Sequence, residues 1–299
     1  AYTLDYWKDI AKRIEDMGAD SICIKDMAGL LTPYAAQELV SVLKESTELP
    51  IDLHTHYTSG VASMTYLKAV EAGCDIIDTA MSPLALGTSQ PATEVMVETF
   101  KGTPYDTGLD MKLLGEIADY FRPIQEEALK SGRINPKVMG VNIKTLMYQV
   151  PGGMLSNLES QLTAMKLYDR LPEVLEEATR VRADMGYPPL ATPSSQMCGA
   201  QATTNVLTGN RYAMVSRELK DYCRGLYGRP PGPIDPTLLE KALGDEKPAF
   251  IRPGDQLAPG MDTARAEVGS LARTEEDIVT YALFPGYAPD FLKAKYSLQ

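Results

Sequence analysis

Two stretches decide the fold: Ser21-Ile22-Cys23-Ile24-Lys25-Asp26 and Ile51-Asp52-Leu53-His54-Thr55-His56. Each is a short apolar run that closes on residues able to do chemistry. Around them the first hundred residues repeat one unit three times. An amphipathic stretch from Thr3 to Met17 stops at Gly18 and feeds the run from Ser21 to Ile24. Thr32 and Pro33 open a second helical stretch, Tyr34 to Glu45, which leads to Ile51–Leu53. Ser59 to Glu71 is a third, stopped at Gly73, and Asp75 to Thr79 is the strand that follows it. Helix and strand alternating at this spacing predict an α/β fold with a parallel sheet.

In each unit the polar residues fall at the C-terminal end of the apolar run: Lys25 and Asp26, then His54 and His56, then Asp78. In a TIM (β/α)₈ barrel that end of the sheet carries the active site. Three units do not make eight strands, so the expectation is the C-terminal part of such a barrel, its N-terminal strands absent from this chain. Residues 1–103 are read as the last βα units and as the carrier of a metal site. From 104 to 299 the pattern becomes helical, with helices expected over Leu109–Ser131, Ser156–Met165, Leu171–Met185, Ser194–Gly209, Arg217–Tyr227 and Pro236–Leu243. The tail, Glu275 to Leu292, reads as one more helix with a turn at Pro285.

Composition narrows the function. The chain has 299 residues, 29 Lys plus Arg against 40 Asp plus Glu, and a formal net charge of −11. No basic stretch offers itself to phosphates, which disfavours a nucleic-acid partner. No apolar run is long enough to span a bilayer as a helix. Cys23, Cys74, Cys198 and Cys223 show no metal-type spacing and read as reduced thiols of a cytoplasmic protein, three of them in core.

The chain has two histidines, and both lie in His54-Thr55-His56. Residues two apart on a strand point to one face, so the two imidazoles can bind one ion. Lys25, closing an apolar run, is expected to be costly to desolvate as a cation. It is therefore ion-paired, with Asp26 as the plain partner, or neutral, or converted by carbon dioxide to a carbamate that ligates a divalent metal.

These residues resemble the biotin-dependent carboxyltransferases. The likeness is carried by Ser21-Ile-Cys-Ile-Lys-Asp-Met-Ala-Gly-Leu-Leu31, Leu53-His-Thr-His56, Gly87-Thr-Ser-Gln-Pro91, Pro151-Gly-Gly-Met-Leu-Ser-Asn-Leu158, Thr192-Pro-Ser-Ser-Gln196 and Tyr281-Ala-Leu-Phe-Pro285, in order over nearly the whole chain. The family comprises the oxaloacetate decarboxylase α subunit, the carboxyltransferase domain of pyruvate carboxylase and the oxaloacetate-forming subunit of transcarboxylase. The resemblance implies a TIM barrel followed by a helical, funnel-like domain. It implies Lys25 as a carboxylated lysine and His54 and His56 as imidazole ligands of a divalent metal, zinc in many members and manganese or cobalt in others. The fourth protein ligand, an aspartate on the first strand, lies outside this chain, as do the residues that hold the keto acid.

It also implies a threonine that shuttles a proton, placed eight residues before the Pro of Pro-Gly-Gly. That count from Pro151 lands on Ile143, in Val141-Asn142-Ile143-Lys144-Thr145. Either Thr145 takes the role through a local shift, or the alignment slips by two, or the chemistry is altered. Asp26, Asp78, Ile143, Gly152 and Gly153 are weaker candidates for the substrate and biotin pocket. Met139, Met147, Met154 and Met165 read as core filler, and Ser194 and Ser195 as helix caps.

The activity the resemblance implies is carboxyl transfer between oxaloacetate or pyruvate and biotin on a separate carrier domain or subunit. The sequence from Val150 to Leu162 favours the decarboxylase and transcarboxylase branch, and within the family an oxaloacetate decarboxylase α subunit is the expectation, with pyruvate carboxylase or transcarboxylase as the alternative. A membrane-embedded decarboxylase subunit and a second copy of the chain are partners the resemblance implies, and the first would hold the protein at the membrane. Two rivals stand beside it: a metal-dependent aldolase or acyl-CoA condensing enzyme of the same barrel superfamily, and a non-catalytic assembly subunit.

Overall fold

The computed structural model describes residues 2–136, 139–249 and 252–297. They form two compact units, one of residues 1–223 and 230–246 and the other of residues 224–229 and 247–299. The expected change from alternating to helical architecture near residue 103 falls inside the first unit.

That unit begins with three βα steps. Helix α1 (Leu4–Asp16) starts where the Thr3 hydroxyl accepts from Tyr6 N–H at 3.2 Å, and the chain turns out of it at Gly18, φ +84°. Strand β1 (Ile22–Asp26), helix α2 (Pro33–Ser46), strand β2 (Ile51–Thr55), helix α3 (Ala62–Glu71) and strand β3 (Ile76–Ile77) follow. The three strands pair in parallel in the order β1-β2-β3, with Lys25 opposite His54 and Leu53 opposite Ile77. Alternation sorts the side chains. Ile22, Ile51 and Leu53 face the helices and are buried with Ala36, Val40, Leu43, Tyr66 and Ala69, each large aliphatic side chain among them contributing about 1.5–3 kcal/mol. Cys23, Lys25, Asp52 and His54 take the other face.

The third strand is shorter than the expected Asp75–Thr79, because β3 pairs with β2 alone and its outer edge has no strand beside it among the described residues. A helix not foreseen, α4 (Thr93–Phe100), follows a tight loop and buries Met96, Val97 and Phe100. Its β-branched residues argue for strand, and burial against the sheet layer overrides them.

The helical part of the first unit comprises α5 (Met111–Lys130), α6 (Lys144–Tyr148), α7 (Gly152–Ala164), α8 (Leu171–Asp184), α9 (Ser194–Thr208), α10 (Arg217–Arg224, its last residue in the second unit) and α11 (Pro236–Leu243). Their core includes Leu158, Leu162, Val174, Leu175, Val181, Met185, Leu219 and Leu238. Helix α7 starts at Gly152, a turn before the expected Ser156. Of the four methionines read as core filler only Met154 is buried; Met139, Met147 and Met165 are exposed. Three of the four cysteines are buried as expected, Cys74, Cys198 and Cys223, while Cys23 is exposed.

Between α8 and α9 lies a buried polar network that hydropathy does not announce. Glu177 accepts from Asn205 Nδ2 at 2.8 Å and from Arg211 Nε at 2.7 Å. Gln201 donates to Asn205 Oδ1 at 2.8 Å, and Tyr212 Oη and Arg211 both donate to Asp184.

The second unit holds α12 (Met261–Val268), α13 (Glu275–Leu283) and α14 (Ala288–Lys295). The single tail helix expected from Glu275 to Leu292 is two, broken where Pro285 removes a donor. Buried Asp277 accepts from Lys295 Nζ at 2.7 Å, Tyr296 Oη at 2.6 Å and the N–H groups of Arg273 and Thr274. These donors hold its carboxyl far below the usual carboxylate range.

Candidate metal centre and adjoining pocket

The two histidines sit where β2 runs out into its loop, and each is anchored by its Nδ1. His54 Nδ1 lies 2.8 Å from Asp78 Oδ2, and His56 Nδ1 lies 2.6 Å from the carbonyl of Thr88. Both partners are oxygens that only accept, so each neutral ring carries its proton on Nδ1. The remaining nitrogens, the two Nε2 atoms, are then bare lone pairs, and they face each other at 3.2 Å. Two nitrogens each about 2.0–2.1 Å from one ion stand roughly 2.8–3.4 Å apart, from octahedral to tetrahedral angles. The pair fits a shared divalent cation, and ring N–H groups held by a carboxylate and a carbonyl are the usual outer support of such ligands. Among the described residues no cluster of three His, Cys, Asp or Glu side chains completes a metal site.

Lys25 is beside His54 in register, on the same face of the sheet. It is exposed, so the expected desolvation cost does not arise, and among the described residues it forms no ion pair. The pairing with Asp26 fails for a geometric reason: consecutive strand residues point to opposite faces. The Asp26 carboxylate instead accepts from Leu30 N–H at 3.0 Å, Leu31 N–H at 2.9 Å and Thr55 Oγ1 at 2.7 Å. It ties down the loop after β1 and does not enter the pocket. One step back along the strands, burial raises the Asp52 carboxyl. Desolvation and the neighbouring Asp52 charge push Cys23 up to about 11, so this thiol stays protonated at neutral pH.

Two glycines let the loops close around the histidines. At Gly29, φ +65°, a Cβ would stand 2.3 Å from the His56 carbonyl oxygen. At Gly152 it would meet the methyls of Thr58 and Thr88 at 3.3 and 3.4 Å. The β2–α3 loop is further held by Ser59 Oγ, which donates to Gly29 O at 2.5 Å, and by Asn142 N–H, which donates to Thr58 O at 2.8 Å.

Against His56 opens a cavity of about 510 Å³, walled by Met27, Thr58 and Thr88 on one side and by α7, α9 and Leu190–Thr192 on the other. Among the described residues no Lys, Arg, Asp or Glu lines it; its polar groups are amides and hydroxyls, those of Asn157, Gln161, Gln196, Thr58, Thr88, Thr192 and Ser195. Gly152 and Gly153 line it. Ile143 and Thr145 do not: Ile143 is 56% exposed, and Thr145 is 1% exposed with its hydroxyl buried and unpartnered. The Thr145 hydroxyl is therefore buried and away from this cavity's lining. The Ser194–Ser195 expectation also changes. Ser194 lies in the first turn of α9 and donates to the carbonyls of Pro189 and Ala191, and Ser195 is a pocket wall.

The conserved carboxylase domain family, PYC_OADA, matches residues 145–299, and an HMGL-like family matches residues 3–120. The chain belongs to the conserved carboxylase domain family. It is 53% identical over 297 residues to a pyruvate carboxylase subunit of Methanocaldococcus jannaschii, covering 98% of this chain and 52% of that protein. It is 43% identical over 302 residues to the 2-oxoglutarate carboxylase large subunit of Hydrogenobacter thermophilus, covering 98% and 46%. The carboxyl transferase domain from Rhizobium etli pyruvate carboxylase, solved with pyruvate and biocytin, superposes with a TM-score of 0.90 at 32% identity, covering 99% of this chain and 52% of that one. The chain spans about half the length of the curated relatives it matches. The carboxylase-domain likeness makes the three-stranded sheet part of a TIM-barrel-type fold, with the helical region following it.

Proposed function

We propose that this chain supplies the carboxyl-transfer site of a biotin-dependent carboxylase that converts pyruvate to oxaloacetate. The observation that carries the reading is the cavity, free of Lys, Arg, Asp and Glu among the described residues, with His56 in its lining. A neutral cyclic urea needs amide and hydroxyl partners and no counter-ion, and the cavity offers that lining. The likeness to a domain solved with pyruvate and biocytin supports the same reading.

The transfer balances simply. Carboxybiotin gives its carboxyl carbon to the pyruvate methyl carbon, the N1–carboxyl bond breaks as the new C–C bond forms, and the methyl proton goes to biotin N1. A divalent ion, when bound, supplies the Lewis acidity that makes the methyl proton removable. His54 and His56 would hold that ion through their Nε2 atoms, with Asp78 and the Thr88 carbonyl fixing the rings. Exposed Lys25, one strand across from His54, is the third holding residue in this reading, its amine taking up carbon dioxide and losing a proton to become an anionic carbamate. Asn157, Gln161 and Gln196 orient the urea ring, while Met27, Met154 and Leu158 keep water from it. The hydroxyls placed to hold or pass a proton in the cavity are those of Thr58, Thr88 and Ser195.

The relatives named as carboxylases support carboxylation over the oxaloacetate decarboxylase reading drawn from Val150–Leu162. A membrane-embedded partner belongs to that decarboxylase alternative; among the described residues no helix is long and apolar enough to cross a membrane. The carrier of biotin is a separate domain or chain, and a homodimer remains the expectation from family resemblance. The test is oxaloacetate–pyruvate interconversion by the full-length protein, with and without free biotin, before and after chelation. Turnover that needs the ion and rises with biotin is expected. Turnover indifferent to biotin in a metal-loaded protein overturns the reading and favours the aldolase alternative.

A further inference from the structure

One tight turn reaches both imidazoles. Residues Leu86–Gln90 close on themselves, with Leu86 N–H donating to Gln90 O and Ser89 N–H to Leu86 O, each at 2.8 Å. Leu86 and Gly87 adopt φ +67° and +54°, and Tyr57 N–H binds Ser89 O at 2.7 Å, which fastens the turn to the loop carrying His56. The Thr88 carbonyl of this turn anchors His56. Its last residue, Gln90, brings its side-chain amide to 3.4 Å from His54 Nε2, the lone-pair nitrogen that faces His56. The other end of the amide accepts from Ser89 Oγ at 3.2 Å.

We propose that Gln90 is a further residue of the metal centre, presenting its amide oxygen to the ion that His54 and His56 hold; this rests on the metal reading above. With no cation between the rings, an amide N–H donates to the His54 lone pair. Once that lone pair is given to a cation, the N–H has no acceptor and points its positive hydrogen at positive charge. A half-turn about the last side-chain torsion exchanges the two ends of the amide and presents oxygen instead. The exchange leaves the other contact intact, because the Ser89 hydroxyl accepts from an amide nitrogen as readily as it donates to an amide oxygen. An uncharged, hard oxygen donor suits a divalent ion that is also to meet a 2-oxo acid, since it adds no negative charge against the substrate's carboxylate.

The test reads the ion directly. Full-length protein and its Gln90→Leu and Gln90→Glu variants are titrated with cobalt(II) alone against a chromophoric chelator, and the visible cobalt spectrum is recorded. The melting temperatures of the metal-free proteins check that the turn is intact. Gln90→Leu is expected to weaken cobalt binding about tenfold and shift the spectrum, the loss usual for a supporting group of a metal site. Gln90→Glu is expected to bind at least as tightly as the unsubstituted protein. A Leu variant with unchanged affinity and spectrum overturns the role of Gln90. Failure of the unsubstituted protein to bind cobalt is a different outcome, and it overturns the metal reading itself.

Discussion

Replacing Gly29 with Ala tests how the loop after β1 is packed beneath His56, without reference to any ligand. The new Cβ would lie 2.3 Å from the His56 carbonyl oxygen and 3.4 Å from Ser59 Oγ. Ordinary contact begins near 3.4 Å, so the two loops must part by about an ångström. Two costs add. An L-residue at φ +65° is disfavoured by about 1–2 kcal/mol, and forcing an extra carbon into a packed site costs about 1–3 kcal/mol. The sum is about 2–5 kcal/mol, which in a unit of this size lowers the melting temperature by about 4–20 °C. Gly18 separates the two contributions, because it has φ +84° but nothing within 4 Å of its Cβ position. Gly18→Ala should therefore show the backbone cost alone. Calorimetry on the full-length protein compares them, and Gly29→Ala should melt lower than Gly18→Ala. Equal melting temperatures for the two variants would refute the close approach of Gly29 to His56.

Three further outcomes follow from individual groups. Asp78→Ala removes the acceptor of His54 Nδ1; since the Asp78 side chain is 47% exposed and solvent screens it, the expected loss of cobalt affinity is about tenfold, read by chelator competition. Thr145→Val removes a buried hydroxyl that has no partner, so the protein should be as stable or up to about 1–3 kcal/mol more stable in urea, with kcat unchanged. A fall in kcat alone would instead mark Thr145 as a proton carrier. Asp277 has its carboxyl held below the ordinary value by Lys295 and Tyr296, so its contribution to stability is fully present above about pH 4 and is lost as pH falls through its folded pKa. Denaturant midpoints of the unsubstituted protein and Asp277→Asn should differ by a constant amount from pH 5 to 8 and draw together as pH falls below about 4; a gap at pH 2 as wide as that at neutral pH would contradict this.

The alternating half of the chain was legible because periodicity and charge placement agree there. Ile51 and Leu53 face helices, His54 faces away, and that is what a period of two demands. The histidine pair was legible for the same reason. Other parts of the site depend on contacts that side-chain patterns do not encode. The acceptor for His56 is a backbone carbonyl, Thr88 O, which any residue type at that position could supply. Asp26 looks like chemistry in sequence, yet three donors within five residues or on the neighbouring strand absorb it. Ser195, read as a cap, becomes a pocket wall because it lies inside α9, which begins at Ser194 after Pro193. Helix α4 escaped because its β-branched residues mask a helix made by burial.

The polar bonds joining α9 to α8 bear on how the cavity keeps its dimensions. Apolar helix faces tolerate sliding, since a Leu finds similar company one turn along. Asn205 meeting Glu177 does not, because a displacement of about 5.4 Å along the axis breaks that bond and leaves a buried carboxylate without one of its donors. Gln201, one turn back on α9, holds the Asn205 amide in the orientation that bond needs. Ser195, Gln196 and Gly199 ride on that same helix and form one wall. The wall is thereby indexed like a ratchet tooth, fixed in axial position from its far side, so that substitutions lining the cavity on α7 can change what fits there without letting the opposite wall drift.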